Sequence, residues 1–388
     1  MKLGQFFKPR EKFLILEIAP SGTDGLFLSV DEDRKIIFEK LEKNIELKKF
    51  FKSPVHRVSQ KTWEGETLFK SHRKVIAAAD PALATTIPIP LELAREHASI
   101  GTKLTTPELE NLIAQAMAKI FNGCRGEAAN RLHLSDLDAV LVGAKAKYFK
   151  VDGKRVMNPA GFAGKKVSFL LELTFTGREL FEDLKPFFNA PDNFFFAEAP
   201  QARLFSFLRA RGLPLSLITA GEGGAALYVL QKAKDDYAVL YREKLDWSFE
   251  SLFKMIKEGL AVNEQTAKEL YRSYHKGEMS ASAERMFKKT LQPAIDKFFK
   301  EISRAKVAGE VYVDAPFVLP FALPHRHGKA VLSKHPMGEI LGKLGFSIEI
   351  GETDDLLRPL SYFLEAFFDK SNSEINQKLH RRLHWLAV

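Results

Sequence analysis

The fold is decided by Ser216–Gln231, S-L-I-T-A-G-E-G-G-A-A-L-Y-V-L-Q, in which two apolar runs flank a turn that contains Gly221, Gly223 and Gly224. Two such runs joined by glycines predict a β-hairpin, because glycine supplies the positive φ angles that a tight turn needs. A hairpin of this kind is either a plain turn in a sheet or a phosphate cradle built from backbone N–H groups.

A second unit of the same form lies near the start of the chain. Phe13–Ile18 and Leu26–Val30 are apolar runs, and the sequence P-S-G-T-D-G joins them at residues 20–25. Two similar hairpins far apart in one chain predict a duplicated architecture.

Composition restricts the class of protein. With 388 residues the chain is long enough for two or three domains, and 45% hydrophobic with 28% charged residues is typical of a soluble globular protein. No uninterrupted apolar run approaches the roughly 20 residues that cross a bilayer, and the N-terminus lacks the apolar core of a signal peptide. We therefore expect a cytoplasmic protein.

The single cysteine, Cys124, excludes an internal disulfide framework and a multi-cysteine metal site.

The net charge of +9 raises the possibility of a nucleic-acid or anionic-membrane partner. The basic residues are mostly dispersed, and they cluster only at the two ends of the chain. Zinc-finger spacing, an RNA-binding aromatic signature and a basic zipper are all missing from the sequence. We therefore expect no nucleic-acid partner.

The segment between the hairpins has the pattern of an α+β module. Pro81, Pro88 and Pro90 punctuate the chain just before it. Thr105 is a candidate N-cap with Pro107 in the first turn of the following helix. Strands are predicted at Asp138–Lys147 and Val167–Thr176, and a closing helix at Gly177–Phe188.

After the second hairpin the pattern is mainly helical. The predicted elements are a strand at Tyr237–Tyr241, helices at Phe249–Gly259, Glu264–Gly277 and Ser282–Arg304, a strand at Val311–Val313, a helix at Met337–Leu344, a strand at Phe346–Ile350 and a helix at Asp355–Phe368.

This order of hairpins, inserts and helices resembles the α/β fold of the actin/Hsp70/sugar-kinase (ASKHA) class. Within it the chain resembles the bacterial cell-division family FtsA, with PilM as a close relative. The most specific match is Val151–Leu173, V-D-G-K-R-V-M-N-P-A-G-F-A-G-K-K-V-S-F-L-L-E-L. It is similar to the pattern of the FtsA-specific (SHS2-type) inserted subdomain: V-D-G, then P-x-G, then a glycine and an amphipathic strand.

The resemblance implies a division of the chain into segments. Residues 1–83 and 191–214 form the first actin-like subdomain, 84–190 the inserted FtsA-type subdomain, 215–243 and 306–369 the second actin-like subdomain, 244–305 a helical insert, and 370–388 a tail.

The chain departs from the family at the residues that would bind Mg²⁺-ATP. The first hairpin of the family reads D-I-G-S/T-S, and Glu17–Ser21 reads E-I-A-P-S. The second reads D-I-G-G-G-T-T-D, and here Thr219 and Ala226 replace its two aspartates while Glu222 adds a negative charge. Carboxylates are needed there because Mg²⁺ takes hard oxygen ligands and the attacking water needs an acceptor.

Two further motifs of the nucleotide site are also altered. Val313–Pro316, V-D-A-P, stands where the family has the glycines of the adenosine-binding turn, and Ser248–Glu250, S-F-E, stands where it has G-G-D. We therefore expect no enzyme activity and no cofactor, with ATP and Mg²⁺ kept as an alternative. The residues that could remain from a nucleotide site are Ser21, Gly22, Gly221, Gly223 and Gly224. A less favoured alternative is an active ATPase or kinase of the same fold that uses Glu17 or Glu222.

The tail has the pattern of a basic amphipathic helix in a membrane interface. FtsA proteins end in such a helix, which implies membrane contact for Ile375, Lys378, Leu379, Arg381, Arg382, Leu383, Trp385 and Leu386. The alternative is a terminal helix that docks on its own domain.

Two functions follow from the resemblance. The first is an FtsA-like adaptor, peripheral at the inner membrane, that tethers a division protein such as FtsZ. The second is a PilM-like cytoplasmic platform of a type IV pilus or secretion machine, which binds a PilN-like peptide. Self-association is a further possibility.

Overall fold

The computed structural model describes residues 10–50, 73–95, 101–188, 194–221, 224–232, 238–307, 309–315, 318–334, 336–348, 354–369, 375, 376 and 379. The strands are β1 (Glu11–Ala19), β2 (Gly22–Val30), β3 (Lys35–Glu42), β4 (Arg73–Ala79), β5 (Ala84–Ala94), β6 (Ala139–Val151), β7 (Lys154–Arg155), β8 (Lys166–Gly177), β9 (Phe194–Glu198), β10 (Leu215–Ala220), β11 (Ala225–Lys232), β12 (Ala238–Leu245), β13 (Gly309–Asp314), β14 (Arg326–His327), β15 (Ala330–Lys334) and β16 (Ser347–Ile348).

The α-helices follow the same chain order. They are α1 (Leu47–Phe50), α2 (Thr106–Leu132), α3 (Arg178–Phe188), α4 (Ala199–Leu208), α5 (Phe249–Leu260), α6 (Glu264–Lys276), α7 (Ala281–Arg304), α8 (Met337–Lys343) and α9 (Asp354–Phe368). Within the described part of the chain, no helix is both long enough and apolar enough to span a membrane.

The chain divides into two compact units. The first contains the described residues up to Ser206 and from Gly338 onward, and the second is Phe207–Met337. The main sheet of the first unit has the strand order β16-β3-β2-β1-β4-β9. Strands β1, β2 and β3 are antiparallel neighbours, whereas β4 and β9 continue the sheet in parallel with β1.

The second unit repeats this order. Its sheet runs β12-β11-β10-β13-β15-β14, with β10, β11 and β12 antiparallel and β13 and β15 parallel to β10. Both predicted hairpins are therefore present, each as the first two strands of its unit. The repeated strand order confirms the predicted α/β fold with two similar halves, the actin/Hsp70/sugar-kinase class.

The structure places residues 338–369 in the first unit, whereas the sequence analysis assigned them to the second actin-like subdomain. Strand β16 pairs in parallel with β3, and α9 packs against β1 and β4. The reason is non-local: a short strand and an amphipathic helix carry no local signal that tells which sheet they join.

The inserted subdomain consists of β5, α2 and β6–β8. Its sheet has the order β5-β8-β6-β7, and α2 buries Leu109, Ile113 and Met117 in a shared core with β8. Helix α2 begins at the predicted cap: Thr105 and Glu108 form a reciprocal capping box. The buried Cys124 lies in the same helix.

Strand β5 differs from the sequence analysis, which treated its prolines as punctuation. Pro88 and Pro90 lie within this strand, paired with Glu172 and Leu170 of β8. A strand tolerates proline at a sheet edge, where the missing N–H faces away from the neighbouring strand. The two prolines are two residues apart, so their backbone nitrogens face the same side of the strand. That side is the open edge of β5, and the prolines therefore cost no hydrogen bond to β8.

The helical insert packs on the second sheet through aromatic side chains. Ser248, Asn263 and Ser280 cap the N-termini of α5, α6 and α7, and α6 ends at Gly277 as predicted. Trp247 packs edge to face against Phe249 and donates its indole N–H to the Ala294 carbonyl at 3.0 Å.

Candidate functional site

The turn of the first hairpin offers few donors for a phosphate. Strands β1 and β2 remain paired up to Ala19 and Gly22, so the turn consists of Pro20 and Ser21 alone. Proline has no N–H, which leaves this two-residue turn with a single backbone donor. A Cβ on Gly22 would lie 3.1 Å from the Asn44 side-chain oxygen, so glycine is accounted for by close packing there.

Glu17, at the position of the family's first aspartate, is held by three side chains of the first unit. Its Oε1 lies 2.9 Å from Arg358 Nε and accepts a 2.9 Å hydrogen bond from the Tyr362 hydroxyl. Arg203 lies 3.9 Å from the same oxygen and donates to the Tyr362 hydroxyl. Arg358 and Tyr362 are on α9 and Arg203 is on α4. The carboxylate therefore joins β1 to two helices.

Burial and neighbouring charges shift the pKa values of three groups in this cluster, and burial lowers the pKa of Arg203. Burial alone would lower the pKa of Arg358, but the Glu17 carboxylate raises it above its usual value. Burial raises the pKa of Tyr362, so the phenol keeps the proton that it donates to Glu17. The carboxylate thus faces two guanidinium groups and a neutral hydroxyl.

The residues at the first hairpin do not fit Mg²⁺. The ion prefers several oxygen ligands in near-octahedral geometry, and it is repelled by cations at short range. Glu17 is the carboxylate at the required position, and it is already paired with Arg358 in the presence of Arg203.

Two other acidic residues lie at the carboxyl ends of parallel strands in this sheet, where ligands of α/β proteins bind. Asp80, directly after β4, accepts a 2.9 Å hydrogen bond from the Ala82 amide. Glu198, at the end of β9, is buried and accepts a 2.7 Å bond from the Thr86 amide. Both carboxylates hold backbone of the first unit in place.

The second hairpin brings together the two positions that the sequence analysis compared with the family's aspartates. Thr219 and Ala226 are register partners across β10 and β11. Asp314 of β13 is the register partner of Thr219 on the other side, and its side chain is buried. By resemblance Asp314 belongs to the adenosine-binding turn, and the structure instead places its carboxylate beside Thr219. Strands β10 and β13 are far apart in the chain, so no local sequence pattern indicates that they pair in parallel.

The glycines of this turn have separate positions. The Gly221 amide donates to the Gly224 carbonyl at 2.8 Å, and the Gly221 carbonyl accepts from the Phe249 amide at 3.3 Å. A Cβ at Gly224 would meet no atom within 4 Å. Glu222 and Gly223 lie outside the described residues. A nucleotide role for Ser21, Gly22, Gly221, Gly223 and Gly224 stays a prediction.

Phe249, at the family's G-G-D position, is a core residue of the helical insert. Its ring is fully buried, 5.0 Å from Trp247 and 6.3 Å from Tyr271. No three histidine, cysteine, aspartate or glutamate side chains come together as a metal site in the part of the chain that the structure describes.

The three tail residues that the structure describes, Ile375, Asn376 and Leu379, all contact the inserted subdomain. Ile375 and Leu379 are each 3% exposed and belong to the core that α2 and β8 share. The Asn376 side chain accepts from the Ala146 amide at 2.8 Å and donates to the Ala146 carbonyl at 3.2 Å. This is the arrangement of the alternative in which the tail docks on its own domain.

The remaining predicted membrane-binding residues are Lys378, Arg381, Arg382, Leu383, Trp385 and Leu386, and all of them lie outside the described residues. Membrane contact by the tail therefore stays a prediction.

A pair of lysines flanks Ala146 on β6. Lys145 forms a 2.7 Å ion pair with Asp369, and Lys147 forms a 2.8 Å ion pair with Glu172. Burial would lower the pKa of Lys147, but Glu172 and neighbouring carboxylates raise it above its usual value. Lys147 therefore keeps its positive charge, and Lys145 connects β6 to the residue that follows α9.

No protein-family model matches the sequence. No curated protein matches it either. Among solved structures, the chain is similar to the PilM-PilN type IV pilus biogenesis complex, with 12% identity, 92% of this chain and 97% of that chain covered, and a TM-score of 0.47.

Two further solved structures are similar at lower scores. The ethanolamine utilization protein EutJ from Carboxydothermus hydrogenoformans is 9% identical over 93% of this chain and 91% of its own, with a TM-score of 0.33. A ROK family protein from Streptococcus pneumoniae TIGR4, in complex with sucrose, is 9% identical over 92% and 99%, with a TM-score of 0.38. The fold assignment rests on the repeated strand order, and the FtsA resemblance stays a prediction.

Replacement of Glu17 tests whether its carboxylate serves the fold. We expect Glu17→Gln to lower the free energy of unfolding by about 3 kcal/mol, because Arg203 and Arg358 lose their counter-charge in a buried setting. Glu11→Gln, on the same strand in an exposed pair with Lys74, is the matched control, with an expected loss below about 1 kcal/mol. Urea denaturation followed by circular dichroism measures both. A stabilised Glu17→Gln protein would contradict this expectation, because it is the result typical of a residue retained for activity.

Proposed function

We propose that the protein is a non-catalytic actin-fold platform that binds a segment of a partner protein. The observation that carries the proposal is the commitment of Glu17 to Arg358 and Tyr362. Phosphoryl transfer depends on Mg²⁺ and on an acceptor that orients the nucleophile. The guanidinium groups oppose the first requirement at Glu17. For the second, Thr219 and Ala226 carry no carboxylate, and the neighbouring Asp314 is buried.

The partner that we propose is a PilN-like peptide presented by an inner-membrane component of a type IV pilus or secretion machine. In the solved complex named above, PilM assembles with PilN. Support in this chain comes from the inserted subdomain, which holds a short segment through the backbone of Ala146 and a buried apolar core. A surface of this type suits an adaptor.

An FtsA-like adaptor for FtsZ is the second candidate. Val151–Leu173, the stretch with the most specific resemblance, forms the turn after β6, the short strand β7 and the first part of β8. Genome neighbourhood separates the candidates, because division genes and pilus genes cluster separately. Co-sedimentation with polymerised FtsZ would favour the second candidate directly, and its absence would count against it.

Nucleotide titration tests the non-catalytic reading. We expect isothermal titration of the full chain with ATP and Mg²⁺ to give no binding tighter than about 1 mM, because Glu17 is neutralised by arginines. Titration with ATP alone is the control for binding without metal. Magnesium-dependent binding with turnover that Glu17→Gln abolishes would overturn the proposal and favour an ATPase or kinase.

We further propose that the platform is peripheral at the cytoplasmic face of the inner membrane, held by the basic residues of the tail. The triple change of Lys378, Arg381 and Arg382 to Glu should weaken binding to vesicles with an anionic lipid fraction at least about tenfold, since each cation near an anionic surface contributes about 1 kcal/mol. Arg285, Lys289 and Lys300, which are exposed on α7, give a control with the same change in charge. Equal co-sedimentation of both triple variants would contradict a tail anchor.

A further inference from the structure

Asn376 contacts the sheet of the inserted subdomain as a neighbouring strand would. Its carboxamide bonds to both the N–H and the C=O of Ala146. On one side β6 is paired with β8, where Ala146 is the register partner of Leu171. On the other side β7 pairs with β6 only at Lys150 and Val151, so among the described strands none covers Ala146 there.

The backbone geometry explains why one side chain can satisfy both groups. In an antiparallel strand the N–H and C=O of one residue point to the same side, and successive residues alternate sides. At Ala146 both groups point to the open edge of β6. An extended peptide that adds to a sheet edge uses such groups, and a carboxamide, with one donor and one acceptor, satisfies the same pair.

The apolar residues of the segment provide the second half of the contact. Ile375 and Leu379 are four residues apart and have helical backbone, so their side chains lie on one face. Both are buried in the cluster that contains Met117, Phe149 and Phe169. The segment thus combines two buried apolar side chains with one polar side chain that hydrogen-bonds to backbone groups. This is the composition of a peptide ligand.

The segment follows α9 after a short stretch of sequence. The ion pair of Asp369 with Lys145 fixes the chain beside β6, and only residues 370–374 intervene before Ile375. A short connection of this kind gives an effective concentration in the millimolar range. A separate peptide of equal intrinsic affinity could therefore bind only after the segment leaves.

We propose that the segment carrying Ile375, Asn376 and Leu379 is an intramolecular ligand in a peptide-binding groove of the inserted subdomain, formed by the open edge of β6 and the apolar core beside it. A partner segment with the same order, apolar residue, Asn, two residues and apolar residue, competes for this groove. Occupancy by the tail then limits access of the partner. This inference rests on the proposed platform function and gives it a site and a means of regulation.

Hydrogen exchange in the full chain tests occupancy of the groove. In Asn376→Ala the Ala146 amide loses its acceptor, and we expect its exchange to become at least about tenfold faster than in the unchanged protein. The Leu171 amide in the central strand β8 is the internal control and should not change. Unchanged exchange at Ala146 would overturn the proposal, because the segment would then not protect this edge.

Peptide binding tests competition. The probe is a fluorescent peptide with the sequence of residues 374–380, E-I-N-Q-K-L-H. The triple variant Ile375→Ser, Asn376→Ala, Leu379→Ser should bind it at least about tenfold more tightly than the unchanged protein, measured by anisotropy. The same peptide with Ala in place of Asn is the control and should bind weakly to both.

Two outcomes would overturn the competition. Equal affinity of the unchanged protein and the triple variant would show that the tail does not occupy the groove. No binding to a triple variant whose circular dichroism matches that of the unchanged protein would show that the groove does not accept separate peptides. Neither result depends on nucleotide, so the competition can fail while the non-catalytic platform stands. Equally, nucleotide turnover can overturn the non-catalytic platform while the competition stands.

Discussion

The ion pair between Glu17 and Arg358, with the Tyr362 hydroxyl on the same oxygen, joins the centre of the first sheet to the last described helix. The Glu17 side chain is 22% exposed, and pairing together with hydrogen bonding offsets the cost of burying most of its carboxylate. The pairing therefore requires α9 to pack on β1. It thereby helps to hold the chain after Gly338 in the first unit. The same pairing engages the carboxylate that was compared with the family's first aspartate.

A consequence of this arrangement is a division of roles within the first unit. Glu17, Asp80 and Glu198 lie at the carboxyl ends of β1, β4 and β9, and each is bonded to side chains or backbone of the unit itself. The inserted subdomain has the opposite character. Its strand β6 has an open edge that takes up Asn376, beside a core that accepts Ile375 and Leu379. The polar groups described in the main sheet are thus engaged within the unit, whereas the inserted subdomain offers backbone groups of β6 to a segment outside its sheet.

Local sequence patterns predicted the local structure well. Both hairpins, the Thr105 cap and the limits of α6 follow from turn residues, caps and strand period, which act over a few residues. Strand β5 was not predicted, because its prolines are tolerated only at a sheet edge, and edge position is a property of the whole sheet. The membership of residues 338–369 depends on pairing between distant segments and could not be predicted locally.

The cluster around Glu17 could be predicted only in part. The sequence shows that Glu17 replaces the family's aspartate. The partners of Glu17, Arg203 and Arg358, are 186 and 341 residues away in the sequence. One signal was available: Arg358 lies in an otherwise mostly apolar helix, and a buried arginine needs a partner. Which acid it pairs with is decided by the packing of α9 on β1.

A double-mutant cycle between Glu17 and Arg358 tests the central claim most directly. The free energies of unfolding of Glu17→Gln, Arg358→Met and the double variant, each measured in urea against the unchanged protein, give the coupling energy of the pair. A coupling of about 2 kcal/mol or more is expected, because the carboxylate and the guanidinium stabilise each other in the buried cluster. A coupling below about 0.5 kcal/mol would show that the two substitutions are independent, and would contradict the claim that this carboxylate is held for the fold.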